Sequence, residues 1–258
     1  MTLGPSVPGT VLITGASSGI GAALALAYAG TGATLALGGR DRDRLEAVAA
    51  ACRACGATVA TAAVDVTDRP AMADWVAAAD DARPLALVVA NAGISAGTGD
   101  GGESEAQARR IFAVNLDGVL NTIHPAIARM KPRRSGHIAL MSSLAAFRGF
   151  PGAPAYCASK AAVRVLGEAL RGELAQDGIG VSVVCPGYVE SAMTAVNRFP
   201  MPMLMPAGRA ARIIRRGLDR NRGRIAFPWP VYWTVRLLAA LPVAWVDPLL
   251  RRLPAKGR

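Results

Sequence analysis

At 258 residues the chain is long enough to bury the core of one sizeable α/β domain and too short for two of ordinary size. Hydrophobic residues make up 52% and aromatics only 5%, a balance rich in alanine, valine, leucine and glycine that suits helices packed closely on a sheet and excludes disorder. The net charge of +11 is lopsided: residues 1–208 hold 17 Lys and Arg against 16 Asp and Glu, and residues 209–258 hold 12 against 2, so any attraction to polyanions belongs to the last fifth of the chain.

No Lys or Arg precedes Arg40, so the charged lead of a secretory signal is missing, and a cytoplasmic chain is expected. Four cysteines without a pairing pattern agree with a reducing compartment. Cys52 and Cys55 form one C-x-x-C within a helical stretch, but no second ligand pair follows and His124 and His137 lack metal spacing, so packing is expected there and no metal site.

Thr10–Thr14 (TVLIT) is a β-branched run followed by the glycine cluster Gly15–Gly21 (GASSGIG) and the Ala/Leu-rich stretch 22–29, which reads as strand, turn and helix. The alternation then repeats. Strands are predicted at 33–37, 58–64, 85–90, 137–142 and 180–185, with a seventh at 224–227, and helices at 42–54, 70–80, 104–131 and 154–176. Repeated βα units imply a doubly wound Rossmann-type α/β fold, a parallel sheet of about seven strands with helices on both faces. Residues 1–228 form the expected catalytic domain, and 229–258 an apolar and basic extension of it. The run 226–246 carries a single charge, Arg236, but Pro228, Pro230 and Pro242 interrupt it, which argues against a straight membrane-spanning helix.

Two clusters carry chemistry. Between a strand and a helix, the turn Gly15-Ala-Ser17-Ser18-Gly19-Ile20-Gly21 lets backbone approach a pyrophosphate and offers it free helix N–H groups. The spacing G-x-x-x-G-x-G also occurs in purely structural turns. At the start of a later helix, Tyr156 and Lys160 stand at i and i+4 on one face, with Ser142 and Ser143 ending the preceding strand. A phenol has a pKa near ~10 in water, and a neighbouring ammonium lowers it, so the pair makes a tunable acid/base.

Together the clusters resemble the short-chain dehydrogenase/reductase family, over about residues 8–228. Thr14-Gly-Ala-Ser-Ser-Gly-Ile-Gly21 looks like its cofactor loop, Asp65-Val66 like its adenine contact, Asn91-Ala92-Gly93 like its sheet-stabilising motif and Asn115 like the helix residue of its active site. Ser143, Tyr156 and Lys160 match its catalytic set, and Pro186-Gly187 the segment beside the nicotinamide. The resemblance implies hydride transfer between a nicotinamide dinucleotide and a small-molecule carbonyl or alcohol. Tyr156 would exchange the proton, Lys160 would lower its pKa and bond the nicotinamide ribose, Ser143 would bond the reacting oxygen, and Asn115 would hold a water linking Lys160 to solvent. A homo-oligomer is likewise implied. Where the family carries a Thr toward the cofactor amide, this chain reads Tyr188-Val189-Glu190-Ser191, and Ser191 is expected to supply the hydroxyl.

Cofactor choice turns on the end of the second strand, Gly38-Gly39-Arg40-Asp41. An acid there would bond the ribose of NAD, whereas Arg40 suits the 2′-phosphate of NADP, so NADP(H) is favoured and NAD(H) stays open, because Asp41 turned inward would repel a phosphate. Residues 192–206, with four Met and three Pro, occupy the place of a substrate lid. They fit either a lipophilic substrate or simple packing on the core.

The basic tail admits several readings. Arg209, Arg212, Arg215, Arg216, Arg220, Arg222 and Arg224 precede a segment with Trp229, Tyr232, Trp233 and Trp245, a pattern suited to a foot on an anionic membrane surface. The same segment could instead close the substrate pocket or pack on a second subunit. No nucleic-acid partner is expected, since 209–224 lacks base-stacking aromatics and any reading motif. A non-catalytic dinucleotide-binding regulator of the same fold remains the alternative to an enzyme, and would be expected to have lost Tyr156 or Lys160.

Overall fold

The computed structural model describes residues 9–95, 103–197 and 200–250. Seven parallel strands, β1 (Thr10–Thr14), β2 (Thr34–Gly39), β3 (Thr58–Ala63), β4 (Leu85–Ala90), β5 (Gly136–Met141), β6 (Ile179–Pro186) and β7 (Arg224–Phe227), form one sheet in the order β3-β2-β1-β4-β5-β6-β7. The chain winds outward from β1 to β3, returns to β4 and winds out the other way, leaving a crevice between the carboxyl ends of β1 and β4.

Side chains that alternate along each strand build two separate cores. Val11 and Ile13 join Leu35, Leu37, Val89 and Met141 on one face, under helices α1 (Gly19–Ala29), α2 (Arg42–Ala54) and α8 (Ala207–Asp219). Leu12, Ala36, Val88 and Ile138 point the other way, under α3 (Arg69–Ala82), α5 (Gly118–Arg133) and α6 (Pro154–Ala175). β1 is buried along its whole length, as a central parallel strand covered on both faces must be. Cys52 lies inside the first core beside Leu45 and Ala49.

Three boundaries differ from the sequence reading for physical reasons. β2 runs on through Gly38 and Gly39, because both pair with β3 and because the Trp75 ring stands over Gly38, where only a residue without Cβ fits. The helix expected over 104–131 is divided into α4 (Glu105–Phe112) and α5 by a π-helical turn, Ala113–Asp117. Such turns place a side chain out of helical register, and here it is Asn115. The apolar tail is cut by its prolines into α9 (Trp229–Ala240), with Pro230 in its first turn, and α10 (Val243–Leu250) after Pro242. Among the described residues no helix is long and apolar enough to cross a membrane.

Candidate active site

The carboxyl ends of β1 and β4 are fastened by one hydroxyl and one amide. Thr14 Oγ1 accepts the backbone N–H groups of Asn91 and Ala92, each at 3.0 Å, and Asn91 Nδ2 donates to the carbonyls of Thr14 (2.9 Å) and Gly15 (3.2 Å). The glycine turn that follows is built for close approach. Gly15 and Gly19 have positive φ values of 63° and 55°, and a Cβ on Gly21 would collide with the Gly15 carbonyl and stand 2.7 Å from Asn91 Nδ2. Ser18 caps α1 without a side-chain bond, so the first-turn amides remain available to an anion. A Cβ on Gly19 would lie 3.0 Å from that of Ser191, which places the Ser191 segment across the cleft from this turn.

At the tip of β2, Ser17 sits beside Gly39 and Arg40 is half exposed, 3.8 Å from Asp65. Burial pushes the Asp65 carboxyl up, but the Thr67 amide and hydroxyl, with Arg40 and Arg110 nearby, outweigh it and hold its pKa below the ordinary value. Asp41 is turned away: it caps α2, accepting the Arg44 amide at 3.0 Å and Arg44 Nε at 2.7 Å. Val66 packs into the second core, and its carbonyl accepts Asn121 Nδ2 at 2.9 Å.

The second cluster hangs from the end of β5. Ser142 Oγ donates to the Lys160 carbonyl (2.7 Å), and Lys160 Nζ donates to the Met141 carbonyl (2.9 Å), so both ends of the lysine are held by one strand terminus. Lys160 is 4% exposed, and burial pushes its ammonium down to about 8. Its nitrogen lies 5.9 Å from the centre of the Tyr156 ring, and a Cβ on Gly93 would come within 3.2 Å of it. Burial raises the Tyr156 phenol above its ordinary range, and the opposing contribution comes from a hydrogen bond with Ser143 rather than from Lys160. Ser143 Oγ also accepts the Ala145 amide (3.1 Å) and reaches the Pro186 carbonyl at 3.5 Å.

Asn115, fully buried, fastens α6 to the segment after β4. Its Oδ1 accepts the Ile94 amide (2.8 Å), and its Nδ2 donates to the Ile94 carbonyl (2.9 Å) and to Ser159 Oγ (3.1 Å). Gly187 is tied to β7 through the Phe227 carbonyl (2.7 Å), and Val189 forms a bridge with Met205. The Ser191 hydroxyl caps the short helix α7 (Ala192–Ala195) in a reciprocal pair with Thr194. Of the expected site residues, Gly15, Asn91 and Gly21 meet at one point of the cleft, Gly93, Asn115, Ser143, Tyr156 and Lys160 gather at its other side, and Arg40 with Asp65 mark its rim. The sequence reading places Thr14 only as the start of the cofactor loop and gives no role to Ser159 or Thr194, because isolated hydroxyl residues carry no spacing signal.

The short chain dehydrogenase family profile matches residues 9–200. An uncharacterized oxidoreductase of Myxococcus xanthus is 38% identical over 245 residues, covering 95% of this chain and 97% of its own. An uncharacterized oxidoreductase of Mycobacterium tuberculosis is 39% identical over 237 residues, covering 90% and 93%. Among solved structures, a short chain dehydrogenase/reductase of Burkholderia phymatum in complex with NAD superposes with a TM-score of 0.83 at 25% identity, covering 100% of this chain and 99% of that one. The chain belongs to the short chain dehydrogenase family and is an oxidoreductase of that family.

The buried lysine makes stability depend on pH. Between about pH 8 and its unfolded value near 10.5, the unfolded chain binds a proton that the folded chain has released, so stability rises with pH across that window. Relative to Lys160→Met, wild type should gain roughly 1 kcal/mol per pH unit from pH 8 to 10 in urea titrations. Parallel curves for the two proteins would show that Lys160 titrates normally.

Proposed function

We propose that the chain interconverts a carbonyl and an alcohol with NADP(H) as cofactor, Tyr156 acting as the acid/base. The observation that carries this reading is the Ser143, Tyr156 and Lys160 arrangement: a phenol whose pKa burial raises and the Ser143 hydroxyl lowers, beside a buried lysine that shares their side of the cleft with Gly93. The strand ends and the glycine cradle fit a dinucleotide, since Gly15 and Gly21 admit no side chain and the first turn of α1 is uncapped by side chains. When bound, the nicotinamide supplies or accepts the hydride.

The chain's own residues do the rest. Gly15, Ser17, Ser18, Gly19, Ile20 and Gly21 would face the phosphates, Asp65 and Val66 the adenine, and Asn91, Ala92 and Gly93 the span between. Pro186, Gly187, Val189 and Ser191 would line the nicotinamide end. During reduction Tyr156 gives its proton to the carbonyl oxygen, and Ser143 donates a hydrogen bond to that oxygen as charge develops on it. A raised phenol pKa favours the proton-bearing form that this direction needs. Lys160, poised to exchange its own proton near pH 8, returns one to Tyr156. Asn115 keeps α6 in place and is proposed to share a water with Lys160. The lid residues Met193, Met201 and Met203 suit a lipophilic substrate, being flexible and apolar.

For the cofactor, Arg40 is the half-exposed cation at the tip of β2, and Asp41 is already neutralised by Arg44, which removes the acid that would oppose a 2′-phosphate. A second reading concerns place. Trp229, Trp233 and Leu237 form an exposed stripe along α9, 72%, 60% and 63% exposed, with Val243 and Trp245 beyond it. We assign this apolar stripe to a peripheral foot on an anionic membrane; Arg209, Arg212 and Arg216 are exposed on α8, on the opposite face of the sheet, and add only long-range attraction to anionic headgroups.

Three outcomes follow. Tyr156→Phe should bind NADPH with unchanged affinity in fluorescence titrations and lose at least ~100-fold in ketone reduction; a variant that kept most of its activity would end the proposed mechanism. Arg40→Gln should raise the Michaelis constant for NADPH by the equivalent of roughly 1.5–3 kcal/mol and leave NADH little changed, whereas a wild-type preference for NADH would refute the assignment. Wild type should pellet with anionic vesicles at low salt and be released by high salt. The triple variant Trp229→Ser, Trp233→Ser, Trp245→Ser should pellet less, and equal negligible pelleting of both would dispose of the foot.

A further inference from the structure

Ser143 and Tyr156 belong to the two ends of one connection. Ser143 follows β5, a single 3-10 turn (Leu144–Ala146) comes next, and the chain continues through 147–153 into α6, which carries Tyr156 in its first turn. The middle of this connection is held from the C-terminal helices. The Phe147 ring packs edge-on against Tyr232 of α9 at 5.5 Å between centroids. Three guanidiniums surround the same ring: Arg164 of α6 at 4.9 Å, Arg224 of β7 at 5.4 Å and Arg236 of α9 at 5.7 Å. Glu168 binds two of them, Arg164 and Arg224, and Arg224 also donates to the Tyr232 hydroxyl at 3.2 Å.

One residue further, Arg148 is tied to α10. Its Nη2 donates to Asp247 Oδ1 at 3.1 Å, and the Arg148 side chain is only 15% exposed. Asp247 is one of two acids in the last fifty residues, against twelve Lys and Arg. The other, Asp219, stays within its own helix, 3.9 Å from Arg215. A lone carboxylate in a strongly basic segment therefore crosses to a mostly buried arginine of the Ser143–Tyr156 connection. Without it Arg148 keeps its burial and loses its ion-pair partner, and moving toward water would carry the connection with it. Phe147, Arg148, Asp247 and Leu250 also wall a cavity of about 610 Å³ shared with Cys157 and Ala161 of α6, which leaves the connection room to shift when its latch is released.

We propose that Asp247 and Arg148 are positioning residues for the active site: α10 latches the connection through this pair, fixing Ser143 relative to Tyr156. The inference rests on the roles proposed above for Ser143 and Tyr156. Asp247→Asn should lower kcat/KM for ketone reduction by about tenfold, mainly in kcat, since small displacements of reacting groups cost that much. Its NADPH affinity should stay within twofold of wild type, and Asp247→Glu should restore activity. In hydrogen exchange followed by mass spectrometry without added cofactor, amides 144–153 should exchange faster in Asp247→Asn than in wild type or Asp247→Glu. Tyr232→Leu, which removes the ring against Phe147, should accelerate the same amides. Wild-type exchange over 144–153 in both Asp247→Asn and Tyr232→Leu would overturn the latch. So would an Asp247→Asn enzyme with unchanged kcat/KM, measured beside an inactive Tyr156→Phe. An active Tyr156→Phe would instead overturn the reading on which the latch rests.

Discussion

Burying an ammonium is costly unless its protons find acceptors, and this cost organises the site around Lys160. The lysine is nearly inaccessible, and its Nζ is satisfied by the last carbonyl of β5, Met141. Its own carbonyl receives Ser142, and Ser159, one residue before it, receives Asn115. Two bonds thus hold the first turns of α6 to the end of β5 and a third holds them to the π-helical turn, and Tyr156 is carried with them. Burial also brings the lysine's proton within reach of ordinary pH, so the restraint that fixes the geometry sets the chemistry as well.

The other half of the cleft depends on the same sheet. Thr14 and Asn91 join β1 to β4 at the point where strand order reverses, and the glycine turn rises directly from that joint. A parallel sheet with helices on both faces opens only there, so a cofactor laid across Gly15–Gly21 runs toward Gly93 and Lys160. The glycine turn and the Tyr156–Lys160 pair lie at two ends of one crevice, and the proposed function rests on that arrangement.

Much of this was legible in the sequence because strand and helix periods were strong. Strands β1, β4 and β7 and helix α2 fall on the residues expected, while Tyr156 and Lys160 are singled out by the family resemblance, since their i, i+4 spacing is equally that of an ordinary helix. Less legible were features set by tertiary contact. The strand expected at 33–37 runs on through Gly38 and Gly39, because Trp75 and the pairing with β3 keep them in it. The π turn accompanies the Asn115 side chain's bonds to the Ile94 backbone, a long-range contact that no local pattern encodes. Asp41 looked able to oppose a phosphate, and only the fold shows it capping α2. Nor does charge counting reveal that Asp247, alone among so many arginines, reaches across to Arg148.

If this crevice passes a hydride between a dinucleotide and a carbonyl carbon, a ketone reduced with NADPH deuterated at C4, prepared as each of the two C4 epimers, should yield alcohol carrying deuterium on the carbinol carbon from one epimer and not from the other, as read by mass spectrometry and NMR. Alcohol free of deuterium with both epimers, or no oxidation of NADPH or NADH across a broad ketone panel, would contradict such a transfer.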